Sequence, residues 1–310
     1  MKKDCSALSY SEKERVCERI FICNGPYWHL YTDGSRMQNI FCSEEDFKVG
    51  MWSLAASLHL CGSVRALTFE LMSNHIHLIL SGPKEDCIKV FDLFASKLKQ
   101  VFGKLGRVIN WSCFKMDILP IEDIKALRNE IIYVNRNAYV ANPTYTPDSY
   151  PWGGGCAYFN PWIKYLKVST LGSQKVNIQR SLLHTRDVSP FSSLIEIGSI
   201  PFIPSFCDIK LGENIFKDAR SYFNALTRNS EAFSQIASRL KDSVFLTDEE
   251  LYSVVCSFIS KEYSVKSATL LNAQQKIDTA RYMHFNYNAT KQQLRRILRI
   301  DLSVLEELFP

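Results

Sequence analysis

The chain has 310 residues, 46% of them hydrophobic, enough to bury a sizeable core and, by length, to form two domains. Its formal net charge of +5 and pI of about 8.6 are mildly basic, which is compatible with a nucleic-acid partner without requiring one. Ten scattered cysteines with no Cys-x-x-Cys pair give no support to a zinc knuckle or a thioredoxin-like motif, and no apolar run is long enough to cross a bilayer. Met1-Lys2-Lys3-Asp4-Cys5 is followed by no apolar signal-peptide region, so the expected setting is a reducing cytoplasm, with the cysteines as small buried hydrophobes and no membrane partner.

In chain order, Arg19 to Thr32 reads as a strand entering a glycine turn at Asp33-Gly34. Ser43 followed by Glu44-Glu45-Asp46 is a helix start, with a capping hydroxyl and acids that suit the helix dipole. That helix continues through Met51, Trp52, Leu54, Ala55 and Leu58 and ends near Cys61-Gly62. Val64 to Leu71 is rich in strand formers, Asn74 to Leu80 continues or pairs with it, and Ser81-Gly82-Pro83 ends the run. Glu85 to Gly103 is helical, with Ile88, Phe91, Phe94, Leu98 and Val101 on one face. Val108 to Phe114 reads as a further strand, and Ile121 to Asn137 as a helix.

Strands and helices mix without strict alternation, so an α+β fold with an antiparallel sheet is expected. Pro143 to Gly155 reads as an ordered loop rich in Pro, Tyr and Gly, and residues 159–245 as a partly helical connector. From Thr247 the chain is strongly helical: Thr247-Asp248-Glu249-Glu250 is a capping box, Gln274 to Phe285 a second helix, Asn288 to Lys291 the start of a third, and Leu302 to Leu308 a last short one. Helix, short turn and helix, with Ile300 plugging the turn, make a helix-turn-helix candidate made basic by Arg281, Lys291, Arg295, Arg296 and Arg299. An ordinary helical bundle with a solvated basic face is the competing reading.

The chemistry concentrates in two segments. In Asn74-His75-Ile76-His77-Leu78 a strand's period of two puts His75 and His77 on one face and Ile76 towards the core. Paired neutral imidazoles can hold a divalent metal, although a hydrogen-bonded strand pair explains the same pattern. In the Ile121–Asn137 helix, Tyr133 and Asn137 are four residues apart and share a face. The phenol can then serve as a nucleophile and the amide oxygen as a third, hard ligand at the same point.

At these residues the chain resembles the HUH single-tyrosine transposases, most closely the REP-associated, IS200-like branch. The Met-x-Asn-His-hydrophobic-His strand of that family is matched by Met72 to His77, and its Tyr-x-x-x-Asn helix by Tyr133 and Asn137. Tyr150-Pro151-Trp152-Gly153-Gly154 is similar to its Tyr-Pro-Trp segment. Near the N-terminus, Trp28 to Gly34, Ile40-Phe41 and Glu44 to Asp46 resemble its first strand and acidic helix start. The resemblance covers roughly the first half of the chain. It departs from the family at Ser73, often Pro, at Asn135, often His, and at Ala138, often Pro.

The resemblance implies a ferredoxin-like HUH nuclease domain over 15–158, and the basic helix-turn-helix candidate makes 246–310 an expected helical, DNA-binding region. It implies Tyr133 as the catalytic nucleophile, His75, His77 and Asn137 as ligands to Mg²⁺ or Mn²⁺, and a target of single-stranded, hairpin-forming repeat DNA. Monomer and homodimer both occur among such enzymes. Lys97, Lys99, Lys104, Arg107 and Lys115 would track the DNA backbone, or else form a solvated face. Tyr139 is an alternative nucleophile, His29 either supports the site or is an ordinary hydrogen-bonded strand histidine, and Tyr150 and Trp152 either stack a base or pack the loop. Two histidines and an amide would also accept zinc. The competing functions are a non-catalytic DNA-binding regulator and a replication or mobilisation relaxase. The latter often carries a helicase, and no P-loop motif is present.

Overall fold

Ser9 opens the first element. Its hydroxyl caps the backbone of Glu12 while the Glu12 side chain returns to the Ser9 amide, and this capping box starts helix α1, Tyr10–Asn24. The helix stops before Gly25-Pro26, because proline has no N–H to continue it. The expected strand from Arg19 is therefore helix up to Asn24, and strand β1 is only Tyr27–Thr32. The structure is a computed structural model and describes residues 9–34, 37–141, 146, 149–228, 236–237, 240, 246, 248–287 and 289–309, without the side chains of 138–141, 228 and 249.

Helix α2, Glu44–Leu60, starts as expected, with Ser43 Oγ accepting from Asp46 N at 3.2 Å and three acids in the first turn. Strands β2, Arg65–Leu71, and β3, Ile76–Ser81, follow, then helix α3, Lys84–Lys104. Val108 to Phe114 is not a strand. It makes a series of short turns, and strand β4 comes later, at Met116–Ile121. The tyrosine helix α4 is Ile124–Ala141, with the Asp123 carboxylate capping Ala126 N at 2.7 Å, so Ile121 belongs to the strand and not to the helix.

The four strands form one antiparallel sheet in the order β2-β3-β1-β4. The fold is thus α+β, with the element sequence β1-α2-β2-β3-α3-β4 around that sheet. Leu30, Phe69, Leu78 and Leu80 are fully buried on one face, and Ile76 lies there as expected. The opposite face is buried as well but carries polar groups: Thr68 and Glu70 on β2, His77 on β3, and His29 and Tyr31 on β1. Directly opposed residues of an antiparallel pair share a face, and Tyr31, His77 and Glu70 lie in one register row.

The chain divides into two compact units, Met1–Tyr139 with Thr144–Arg228, and Val140–Pro143 with Asn229–Pro310. The segment expected to be a connector from residue 159 is therefore, as far as Arg228, part of the first unit. Together with residues 150–158 before it, it covers the open edge of β2. Asp208 N donates to Ala66 O at 2.7 Å, Tyr158 Oη to Leu67 O at 2.8 Å, and Leu71 N to Trp152 O at 2.9 Å. An uncovered edge strand would offer its backbone to other chains, so these bonds satisfy it within the fold. A second sheet of three short antiparallel strands, Ser169–Thr170, Ile195–Ile197 and Ile200–Pro201, sits against α2, where Trp52 Nε1 donates to Ser199 O at 2.9 Å.

In the second unit the helices Asp248–Tyr263, Ala273–Tyr287, Lys291–Leu298 and Leu302–Leu308 surround a core that includes Leu251, Val255, Ile259, Met283, Leu294 and Leu305. Thr290 caps the third of them in a capping box with Gln293, and Ile300 is buried in the turn after it. The expected Thr247 cap lies outside the described residues, as does most of the stretch 142–148 at the start of the expected loop. No described helix is long and apolar enough to cross a membrane. Of the nine described cysteines, Cys17, Cys61, Cys87 and Cys207 are buried, whereas Cys23 and Cys42 are exposed, so only part of the set behaves as small core hydrophobes.

Candidate functional site

The polar face of the sheet meets helix α4. Glu130, Tyr133 and Asn137 recur at helical spacing and present one face of the helix. The Tyr133 ring stands edge-on to His77, with centroids 5.5 Å apart, and is 6.2 Å from His29. The His75 and His77 rings are 5.1 Å apart and perpendicular. Tyr133 is 1% exposed, His77 0%, His75 7% and Asn137 2%, so the predicted nucleophile and ligands all lie beneath the surface. The side chain of Tyr139, the alternative nucleophile, lies outside the described set.

Each histidine is held from behind. Asn74 Nδ2 donates to Gly34 O at 2.9 Å, which turns Asn74 Oδ1 towards His75 Nδ1 at 2.7 Å. His77 Nδ1 lies 3.0 Å from His29 Nε2, and His29 Nδ1 lies 2.8 Å from Glu130 Oε2. His29 is thus both a hydrogen-bonded strand histidine and a direct neighbour of the site. Glu130 is the residue that sequence reading missed. Its signal is an acid three residues before Tyr133, directly followed by Ile131 and Ile132 and on the helix face of Tyr133.

Asn135, where the resembled family often has histidine, ties α4 to two other elements. Its Oδ1 accepts from Thr68 Oγ1 on β2, and its Nδ2 donates to Tyr222 Oη at 2.9 Å. The Tyr-Pro-Trp segment packs rather than presenting its rings. Trp152 stacks on Phe47 at 5.2 Å, and Tyr150 Oη donates to Leu71 O at 2.6 Å. Gly153 and Gly154 let this segment run against β2, since a Cβ on Gly154 would sit 2.5 Å from Thr68 Oγ1.

The basic residues separate into two groups. Lys97 is half-buried, donates to His184 O at 3.1 Å, and has its ammonium pKa pushed down by burial and, to a lesser degree, by Lys104. Arg107 is an internal clamp, 2.5 Å from Asp46 Oδ2 and 2.9 Å from Ile40 O. Arg296 binds both carboxylate oxygens of Asp248, at 2.6 and 3.0 Å. These three are occupied with the fold. Lys99 and Lys115 are exposed and line one open cleft with Phe91 and Phe114. Lys104, Arg295 and Arg299 are exposed, and Lys291 is half-buried.

Among the described residues no group of three or more His, Cys, Asp or Glu could hold a metal. The donors that the fold gathers are the two imidazoles of His75 and His77, and Asn137 lies one turn beyond Tyr133 on α4. The Asn137 amide nitrogen is buried with no hydrogen-bond partner. A buried amide N–H of this kind calls for an acceptor, and amide O and N are assigned from their bonding network. His75 and His77 are thus the donors that could hold a divalent cation, with Asn137 as the expected third ligand, and imidazoles suit Mn²⁺ better than Mg²⁺. Comparison of the chain with family models, with characterised proteins and with solved structures gives no match.

Proposed function

We propose that this chain is a metal-dependent single-stranded DNA endonuclease and strand transferase of the HUH single-tyrosine type, similar to REP-associated tyrosine transposases. The observation that carries the reading is the meeting of Tyr133 with His77 across the sheet–helix interface, at a ring separation of 5.5 Å, with the His75 ring 5.1 Å from that of His77. The element sequence β1-α2-β2-β3-α3-β4 and the strand order β2-β3-β1-β4 support a ferredoxin-like domain. In the second unit, the Lys291–Leu298 and Leu302–Leu308 helices with Ile300 between them support a helix-turn-helix that would present Arg295 and Arg299 to DNA.

Tyr133 Oη would attack the phosphorus of the scissile phosphodiester in line with the departing 3′-oxygen. One P–O bond forms to the phenol and one P–O bond to the 3′-oxygen breaks. The phenolic proton is balanced by the proton gained at the 3′-hydroxyl, leaving a 5′-phosphotyrosine. A free tyrosine titrates near ~10, so the phenol needs help to ionise at neutral pH. His75, His77 and Asn137 would hold Mg²⁺ or Mn²⁺, which supplies charge neutralisation and orientation at the phosphate. Because the ester bond is conserved in the intermediate, a second 3′-hydroxyl can reverse the step on another strand without ATP. Tyr133 is 1% exposed, so substrate entry requires the residues that cover it to move.

That burial also favours a second reading, a DNA-binding regulator of the same fold whose tyrosine is idle. Incubation with a labelled single-stranded hairpin library and Mn²⁺ or Mg²⁺, comparing the wild type with Tyr133→Phe, separates the two. The catalytic reading expects a covalent protein–DNA adduct that Tyr133→Phe abolishes. Tight binding with no adduct under either metal would support the regulator.

A further inference from the structure

We infer that Glu130 and His29 are positioning residues that set the tautomer of His77, and that Asn74 does the same for His75, so that both histidines carry their proton on Nδ1 and their lone pair on Nε2. The inference deepens the metal-dependent reading above and rests on it for its purpose, but the tautomers themselves can be observed without any metal.

An ionised carboxylate only accepts hydrogen bonds. In the proposed relay Glu130 is the carboxylate, so its 2.8 Å contact from Oε2 to His29 Nδ1 places a proton on His29 Nδ1. A neutral His29 then has its lone pair on Nε2, 3.0 Å from His77 Nδ1. Two lone pairs cannot share that contact, so His77 Nδ1 carries the hydrogen and His77 Nε2 is left as the basic nitrogen. The chain runs from α4 through β1 to β3, and Glu130, His29 and His77 are 1%, 0% and 0% exposed. Water is thus excluded from the contacts that would otherwise let the tautomers interchange.

His75 reaches the same state by a different device. The Gly34 carbonyl requires the N–H side of the Asn74 amide, at 2.9 Å, so the oxygen side faces His75 Nδ1 at 2.7 Å and accepts from it. Two unrelated supports, one carboxylate–imidazole and one amide, thus give the same tautomer at both histidines. A metal-ligating histidine needs this arrangement: one ring nitrogen donating to a fixed acceptor, the other presenting its lone pair. If His77 were only a strand histidine filling the interface, either tautomer would serve.

The test uses the full-length protein with ¹⁵N-labelled histidine. Long-range ¹H–¹⁵N correlation spectra without metal report which nitrogen of His75 and His77 is protonated, and calorimetric titration with Mn²⁺ reports binding. The expected spectrum has Nδ1–H at both histidines. Glu130→Gln keeps an oxygen acceptor for His29 and should retain the His77 tautomer and Mn²⁺ binding close to wild type. Glu130→Leu removes the acceptor and should weaken Mn²⁺ binding by about 10- to 100-fold. A proton on Nε2 of His77 in the wild type would overturn the inference, as would Mn²⁺ affinity equal in the wild type, Gln and Leu proteins. If the Leu variant does not fold, the wild-type spectrum still decides. A wild type with the Nδ1–H tautomers but no Mn²⁺ binding would support the relay while removing the metal from the proposed function.

Discussion

A single methyl group at position 34 tests how tightly the histidine pair is held. A Cβ built on Gly34 would lie 2.7 Å from His75 Nδ1 and 3.3 Å from Asn74 Nδ2, so Gly34→Ala must push the ring or the amide out of place. The expected outcome is a loss of about 1–3 kcal/mol in denaturant-unfolding stability, as for other overpacked sites, together with weaker Mn²⁺ binding in calorimetry. Stability and Mn²⁺ binding both at wild-type level would show that this contact does not hold His75. At the scale of single residues the sequence was informative where chemistry depends on short spacing. His77 follows from the strand period and Tyr133 and Asn137 from the helix period, whereas His75 lies just before β3 and is placed beside His77 by its bond to Asn74. Glu130 was not legible, because its partner His29 is 101 residues away and only the docking of α4 on the sheet joins them. His29 itself carried two readings that the structure makes compatible.

Among the elements, the errors of sequence reading have a common cause: a local apolar run was weighed without the signals beyond its ends. Ile20-Phe21-Ile22-Cys23 has the look of a strand, yet the capping box at Ser9 and Glu12 begins a helix that carries it to Asn24. Strand β4 contains Pro120, which argues against a central strand. In the order β2-β3-β1-β4 it is an edge strand, where proline is tolerated. The expected loop ending at Gly155 and the first part of the expected connector after it share one task, to cover the β2 edge. Gly154 measures that role. A Cβ there would be 2.5 Å from Thr68 Oγ1, 3.2 Å from Thr68 Cα and 3.3 Å from Phe69 N, and two of those three atoms are backbone. Gly154→Ala should therefore cost about 1–3 kcal/mol in chemical denaturation. It should also disturb Asn135, whose Oδ1 accepts from the same Thr68 hydroxyl, and through it the seating of α4. Hydrogen exchange would show the change as faster exchange in β2 and α4 than in the helices of the second unit. Unchanged exchange in α4 would mean that Thr68 and Asn135 do not couple the covering segment to the tyrosine helix.

For the molecule as a whole, a net charge of +5 says little about where DNA would bind, since several of the cations are already engaged. The distinction gives a measurable prediction. Each cation that neutralises a phosphate of double-stranded DNA adds about 0.9 to the steepness of log K against log[salt]. If Arg295 and Arg299 face the stem of a hairpin, replacing both by Gln should reduce the slope by roughly twice that, weaken binding similarly across sequences, and leave thermal stability near wild type. Arg107→Gln should behave in the opposite way. Its guanidinium is bonded to Asp46, one of three acids in the first turn of α2, and to the carbonyl of Ile40, so its removal breaks a half-buried tie and leaves Asp46 with less compensation. The expected result is a lower unfolding temperature with an unchanged salt slope. Lys97→Gln belongs with Arg107, because its ammonium donates to His184 O, whereas Lys99→Gln and Lys115→Gln belong with the exposed arginines. Fluorescence anisotropy with a labelled hairpin between low and moderate salt, paired with thermal melts, reads both quantities on each variant. A salt slope that falls with Arg107→Gln but not with the Arg295 and Arg299 replacements would place the DNA on the first unit alone and remove the helix-turn-helix from the proposal.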